Sequence, residues 1–343
     1  MRIAMVGSDF DFSAKDGISR YAHELYTQLR AGNKIFTYES RKPDNFFGDM
    51  AKGLKRYFAG LRIRENVDIV HVMYPNAAFP LSKAPKVLTW HDSSVFERHK
   101  TYNPLKKDFY HWLGVVLPAL KNTGAADGII YPSEEAKNDV ERYLGNLDNK
   151  LRTVIHEGID DVFIKERVSH NAGRKDFVYI GSVRYPHKNI PLLISAFEKA
   201  AKGANDLYIF TPTPLEQISS EYMNAKRVHV IVQASTKEII SKLKTSIALL
   251  HLSSLEGFGL TILESMAVGT PVVVLKDAQI PKAVARYAIK CSKQDVPKTI
   301  GLLAKEKPEL SDDAIMYAKS FSWTSAAEKT LDFYKKVIMH SSK

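Results

Sequence analysis

Cysteine is almost absent from this sequence: Cys291 is the only one in 343 residues. No internal disulfide can form, which excludes a disulfide scaffold and a cysteine-cluster metal site. Long apolar runs are missing as well. The longest, Trp112 to Leu120, falls far short of the roughly 20 residues a membrane-spanning helix needs. Met1 to Gly7 turns polar too soon for a signal-peptide core, so a reducing, cytoplasmic setting is expected, peripheral to a membrane at most. Low-complexity tracts, repeats of solenoid period and nucleic-acid-binding motifs are lacking too. That last absence matters because the formal net charge is +11. The basic excess is concentrated beyond residue 160 as scattered lysines, which read as a solvated surface, and no nucleic-acid partner is expected.

What the chain has is alternation. Apolar strands are expected at 2–7, 33–39, 67–74, 86–90, 128–132 and 152–156, with a first helix from Ile18 to Arg30. A second run places strands at 177–180, 207–210, 228–232, 247–252 and 271–275, with helices at 190–202, 236–243 and 260–268. Near-continuous apolar strands separated by amphipathic helices predict an α/β fold with parallel sheets covered on both faces. The length suits two domains, and Asp160 to Arg174, charged and without periodicity, reads as the hinge. Ser325 and Glu328 have the spacing of a capping box opening a last helix.

One stretch is far more specific. Glu256-Gly-Phe-Gly259-Leu-Thr-Ile-Leu-Glu264 follows an apolar strand and is closed by Gly269 and Pro271, a helix stop. The pattern is strand, glycine loop, short helix, strand. Two carboxylates then flank free amide donors at a helix N-terminus, where negative charge is favoured. Carboxylates beside amides suit a ligand rich in hydroxyls and phosphate, such as a nucleotide sugar. A second constellation, Gly181 to Asn189, ends a strand in glycine and adds Arg184 and Lys188, fixed charge of the kind diphosphate recognition requires.

The spacing of Glu256 and Glu264, the Gly257-Phe258-Gly259 between them and the following Gly269-Thr-Pro271-Val-Val-Val resemble the retaining GT-B glycosyltransferases of family 4. Arg184 and Lys188 match the family's Gly-x5-Lys-Asn segment, and Phe321-Ser-Trp323 its C-terminal helix. The resemblance implies two Rossmann-like parallel-sheet domains facing a central cleft, residues 1–162 with a crossing-back C-terminal helix 324–343, and residues 163–323. It implies a metal-independent, retaining hexosyltransferase with no cofactor, acting on a nucleotide diphosphate sugar and a glycan, lipid-linked or small-molecule acceptor. Arg184 and Lys188 would hold the diphosphate, Glu264 the ribose and Glu256 the donor sugar, with Gly181, Gly257, Phe258, Gly259 and Leu260 completing the donor cradle. Phe258 taken alone reads as packing. His91, at a strand end in Thr89-Trp90-His91-Asp92, would be the catalytic candidate of the first domain, and Asp92 an acceptor contact. Gly17 opens a loop expected across from the donor, while Asp9 and Asp11 read as acceptor-side acids and not as a metal motif. His71 is expected to be buried and structural.

Departures exist. One glycine, Gly17, stands where many relatives have two, and Lys276 to Lys282 lacks the glycines and the acid usual after the Pro271 strand. A GT-B nucleotide-sugar epimerase and a non-catalytic sugar-nucleotide-binding protein remain alternatives, whereas a phosphorylase would need a longer chain. The basic stretch 41–64, with Leu54, Tyr57, Phe58 and Leu61 at helical spacing, reads either as a helix packed on the sheet or as a contact for anionic lipid headgroups.

Overall fold

The structure, a computed structural model, describes residues 1–7, 10, 17–40, 60–97, 112–145, 147–166, 173–200 and 205–342. Asp9, Asp11 and most of the basic 41–64 stretch lie outside the described residues. The chain divides into two compact units: residues 1–157 with 323–343, and residues 158–322.

The first unit holds strands β1 (Arg2–Gly7), β2 (Lys34–Glu39), β3 (Leu61–Arg62), β4 (Ile69–Val72), β5 (Pro80–Leu81), β6 (Lys86–Thr89), β7 (Gly128–Tyr131) and β8 (Leu151–Val154). Six of them form one sheet in the order β2-β1-β4-β6-β7-β8, and β3 pairs with β5. Every described pairing is parallel. Residue chemistry explains the order. The inner strands β4 and β7 are buried at every position, so both faces must be covered, while β2 and β8 have no fully buried position and sit at the edges.

The first helix, Gly17–Leu29, buries Tyr21, Ala22, Leu25 and Leu29, one stripe at helical spacing. The last helix, Trp323–Ser341, packs in this same unit over β7. Gly128 makes that approach possible, because a Cβ there would stand 2.6 Å from Val337 Cγ2 and 3.0 Å from the Phe333 ring. The helix begins at Trp323, two residues before Ser325, so the predicted Ser325–Glu328 capping box does not mark its start. Burial of Trp323, edge-on to Tyr21 with ring centroids 5.9 Å apart, sets the first turn instead.

A buried polar chain joins these elements. Tyr334 Oη lies 2.6 Å from Nδ1 of His71, whose Nε2 lies 2.7 Å from Thr89 Oγ1, and Tyr21 Oη stands 3.0 Å from the same hydroxyl. Burial, helped by nearby His91, pushes His71 down to about 3, so the ring is neutral and both its nitrogens are spent on structure.

The second unit holds β9 (Asp176–Ile180), β10 (Leu207–Thr211), β11 (Val228–Val232), β12 (Ser246–His251), β13 (Val272–Leu275) and β14 (Ile289–Cys291), parallel throughout, in the order β11-β10-β9-β12-β13-β14. The chain steps outward from β9 to β11 and then returns to the far side of β9 at β12. That reversal is a topological switch point, and the loops leaving β9 and β12 flank the crevice it opens. The helix after β11, Thr236–Thr245, starts with a formed capping box: Glu238 N donates to Ser235 Oγ at 3.2 Å, and Ser235 N to Glu238 Oε2 at 2.8 Å.

Candidate active site

Two segments some 70 residues apart in sequence meet at that switch point. Leaving β9, the chain turns at Gly181, whose φ of +150° and whose closeness to Tyr179 Oη, 2.9 Å from a would-be Cβ, leave no room for a side chain. A 3-10 turn, Pro186–Lys188, follows and ends at Asn189 in the left-handed region. Backbone and amide bonds clip this loop to the one leaving β12. Asn189 Nδ2 donates to Leu252 O at 2.8 Å, and Ser254 N donates to His187 O at 2.8 Å. Ser254 and Glu256 are tied in turn to Gln279, through Gln279 N to Ser254 O at 2.8 Å and Glu256 N to Gln279 O at 3.0 Å.

The clips bring side chains together. Lys188 Nζ donates to Oε1 of Glu256 at 2.7 Å, and Nε2 of His251 stands 2.7 Å from that same oxygen. Thr261 Oγ1 lies 3.4 Å from the other ring nitrogen of His251. Burial alone would push the Glu256 carboxyl up; Lys188 and His251 outweigh it and hold the group well below the usual carboxylate range. Both of these bonds go to Oε1, and no described residue bonds Oε2 of Glu256.

Gly259, at φ +102°, then opens the Leu260–Ala267 helix. A Cβ there would meet Ile262 at 3.3 Å and Val284 at 3.4 Å, so glycine is required both by conformation and by space. Gly257 and Leu260 are half-buried on either side of Phe258, which is buried against Phe321, ring centroids 6.1 Å apart, a packing role. Glu264 is the helix's fifth residue and is buried. Arg184 belongs to the β9 loop, its side chain exposed and its backbone N donating to Ser182 Oγ at 3.3 Å.

The remaining sequence candidates lie in the first unit. Gly17 is the exposed first residue of the first helix, with nothing within 4 Å of a would-be Cβ. His91 and Asp92 follow β6. His91 Nε2 donates to Met73 O at 3.0 Å, Nδ1 lies 3.4 Å from Glu157, and Tyr21 meets the ring edge-on with centroids 4.8 Å apart. His71 is buried, as its strand position suggested.

Two residues escaped the sequence reading. His251 stands in an otherwise apolar strand, and a lone polar residue at a strand's C-terminal end is its only signal. Glu157, an acid just before Gly158 where the units divide, offered less.

Residues 160–320 match the family Glycosyl transferases group 1, and residues 15–163 match Glycosyltransferase Family 4. The chain belongs to the family 4 glycosyltransferases. A D-inositol 3-phosphate glycosyltransferase of Mycobacteroides abscessus is 26% identical over 249 residues, 64% of this chain and 56% of that protein. The chain spans about half the length of the curated relatives it matches. Among solved structures, a sucrose-phosphate synthase from Thermosynechococcus elongatus superposes with a TM-score of 0.75 at 16% identity, covering 99% of both chains. An Anabaena protein solved with UDP-glucose gives 0.68 at 14% identity, covering 98% of this chain and 100% of its own. These likenesses confirm the GT-B fold of two parallel-sheet units.

Proposed function

We propose that the chain is a retaining, metal-independent hexosyltransferase that moves a sugar from a nucleotide diphosphate sugar to a hydroxyl acceptor. The observation that carries this reading is the Glu256 carboxylate, one oxygen held at 2.7 Å by both Lys188 and His251 and the other bonded by no described residue, beside a glycine-opened helix. Cations and amide donors suit a diphosphate, and the remaining oxygen suits a sugar hydroxyl. Glu264 would accept from the ribose hydroxyls.

In the reaction, the bond from the anomeric carbon to the diphosphate oxygen breaks while the acceptor oxygen bonds to that carbon on the same face. The acceptor's proton passes to the departing diphosphate oxygen. Arg184, Lys188 and the helix amides meet the charge that develops there, and each such preorganised contact is worth about 2–4 kcal/mol of barrier. That cationic set takes the place of a divalent ion. His91 would be the catalytic residue of the first unit and Asp92 an acceptor contact, and Gly17 would contact the donor. The D-inositol 3-phosphate activity named for the M. abscessus relative supports a phosphorylated polyol as the first acceptor to try, and UDP-glucose as the first donor. The basic 41–64 stretch supports a peripheral contact with anionic headgroups, read by salt-sensitive co-sedimentation with anionic vesicles.

The test is product analysis in EDTA, with and without acceptor, by mass spectrometry and proton NMR of the anomeric linkage. An α-linked product from an α-linked donor, formed only with acceptor, is expected. A changed sugar nucleotide without acceptor would mean an epimerase, inversion would overturn the retaining mechanism, and activity lost to EDTA and restored by Mn²⁺ or Mg²⁺ would overturn metal independence.

A further inference from the structure

We propose that His251 is a positioning residue for Glu256: it keeps hold of the carboxylate when Lys188 is given up to an incoming diphosphate. The hand-over to a diphosphate rests on the transferase reading above; the hold on Glu256 does not.

Two donors converge on one oxygen. Oε1 of Glu256 lies 2.7 Å from Lys188 Nζ and 2.7 Å from His251 Nε2. A carboxylate only accepts, so both nitrogens donate to it. The second donor matters when the first one leaves. A shielded carboxylate that loses its only partner is strongly destabilised, because neither water nor an opposite charge replaces what it lost. With His251 in place, the departure of Lys188 leaves Oε1 still bonded. Without it, Lys188 would stay with Glu256, and a diphosphate would bind weakly.

The fold decides which partner stays. His251 ends β12, a strand buried at every position, and its main chain is in register with Val274 of β13. Its side chain is 3% exposed, and Thr261 Oγ1 lies 3.4 Å from the far ring nitrogen. Glu256 follows five residues later in the same segment. Its backbone is fixed too, through the bond from its own N to Gln279 O and the bridge between Leu255 and Gln279. The imidazole and the carboxylate therefore belong to one anchored piece of chain.

Lys188 comes from the other loop. It is the last residue of the 3-10 turn after β9, and its side chain is 16% exposed. An ammonium on a flexible four-carbon stem can swing away by bond rotation alone. An imidazole enclosed at the end of an inner strand cannot follow it. All three residues lie in the second unit.

The test is a double-mutant cycle on the full-length protein, read by urea unfolding without ligand. Lys188→Ala stands for release of the lysine. It is expected to lower the folding equilibrium constant about tenfold more in His251→Leu than in wild type. In His251→Gln, whose amide keeps a donor near the place of Nε2, no such excess is expected. Glu256→Gln is expected to abolish the excess, and to restore folding if His251→Leu/Lys188→Ala does not fold. Additive losses, or a triple variant no more stable than the double, would overturn the proposal. A histidine that merely fills space in an apolar strand gives additive losses.

A second arm titrates inorganic pyrophosphate by calorimetry. His251→Leu is expected to weaken its binding about tenfold, and His251→Gln to stay within about twofold of wild type. In His251→Leu/Glu256→Gln the affinity is expected to return to that of Glu256→Gln alone. Unchanged affinity in His251→Leu would overturn the hand-over. Pyrophosphate that ignores the wild-type protein, or binds Lys188→Ala as well as wild type, would sink the diphosphate assignment and the hand-over together. The unfolding cycle needs no ligand, so it decides the hold on Glu256 whatever the protein transfers. Additive losses with sugar transfer intact would sink the His251 proposal alone.

Discussion

Lys188 Nζ lies 2.7 Å from Oε1 of Glu256, so the cation proposed for the diphosphate is already paired with the carboxylate proposed for the sugar. The pair is mostly shielded, and His251 shares its anion. A diphosphate entering the site must therefore compete with Glu256 for Lys188. Glu256→Gln is predicted to tighten the binding of free nucleoside diphosphate by roughly tenfold, about 1.4 kcal/mol, while turnover falls because a sugar contact is lost. Titration calorimetry with the free nucleotide checks it. Weaker binding in Glu256→Gln would mean that the carboxylate itself contacts the nucleotide.

Arg184→Ala and Lys188→Ala are each predicted to reduce kcat/KM by about 2–4 kcal/mol of barrier. Near-normal turnover in the double variant would remove the diphosphate assignment from the β9 loop.

Glu264 behaves differently because it is buried in the helix behind the glycine loop. Glu264→Gln keeps the side-chain volume and is predicted to raise the Kd for nucleoside diphosphate, since it weakens acceptance from the ribose hydroxyls. The measurement is made against nucleoside diphosphate and against pyrophosphate. Equal loss for both ligands would contradict a ribose role.

His71 makes a prediction about stability and pH. Its folded value, about 3, lies below the ordinary 6.5. Between those values the unfolded chain holds a proton that the folded chain does not, so stability rises with pH through this window and is complete above about 6.5. The slope from this residue is about 1.4 kcal/mol per pH unit. Urea unfolding midpoints taken from pH 4.5 to 7.5 should fall less steeply with acid in His71→Gln than in wild type. Tyr334→Phe, which strips His71 Nδ1 of its partner, is predicted to cost about 1–3 kcal/mol at neutral pH. Parallel acid profiles for wild type and His71→Gln would contradict the neutral buried ring.

Much of this was legible in the sequence, for physical reasons. β4, β7 and β12 read as strands of parallel sheets covered on both faces because their apolar runs are nearly continuous, and the glycine loop read as a helix start because Gly257, Gly259, Gly269 and Pro271 punctuate it locally. The role of His251 was not legible, since a histidine in an apolar strand is spelled the same whether it fills space or grips a carboxylate. Its partnership with Lys188 exists only because β9 and β12 are neighbours. The capping pattern at Ser325 misled because the burial of Trp323 outweighs one hydrogen-bonded cap. β14 was missed because three residues, Ile289–Cys291, are too few to show a period.

The central claim, a nucleotide diphosphate sugar held by Arg184, Lys188, Glu256 and Glu264, is tested most directly by thermal shift. The panel is UDP-, GDP-, ADP- and dTDP-sugars in EDTA, read on wild type and on Arg184→Ala/Lys188→Ala. A ligand at a hundred times its Kd stabilises by about 2.7 kcal/mol, a shift of several degrees. The account predicts such a shift for at least one nucleotide sugar in wild type and its loss in the double variant. No shift with any of them, or a shift of equal size in the variant, would contradict it.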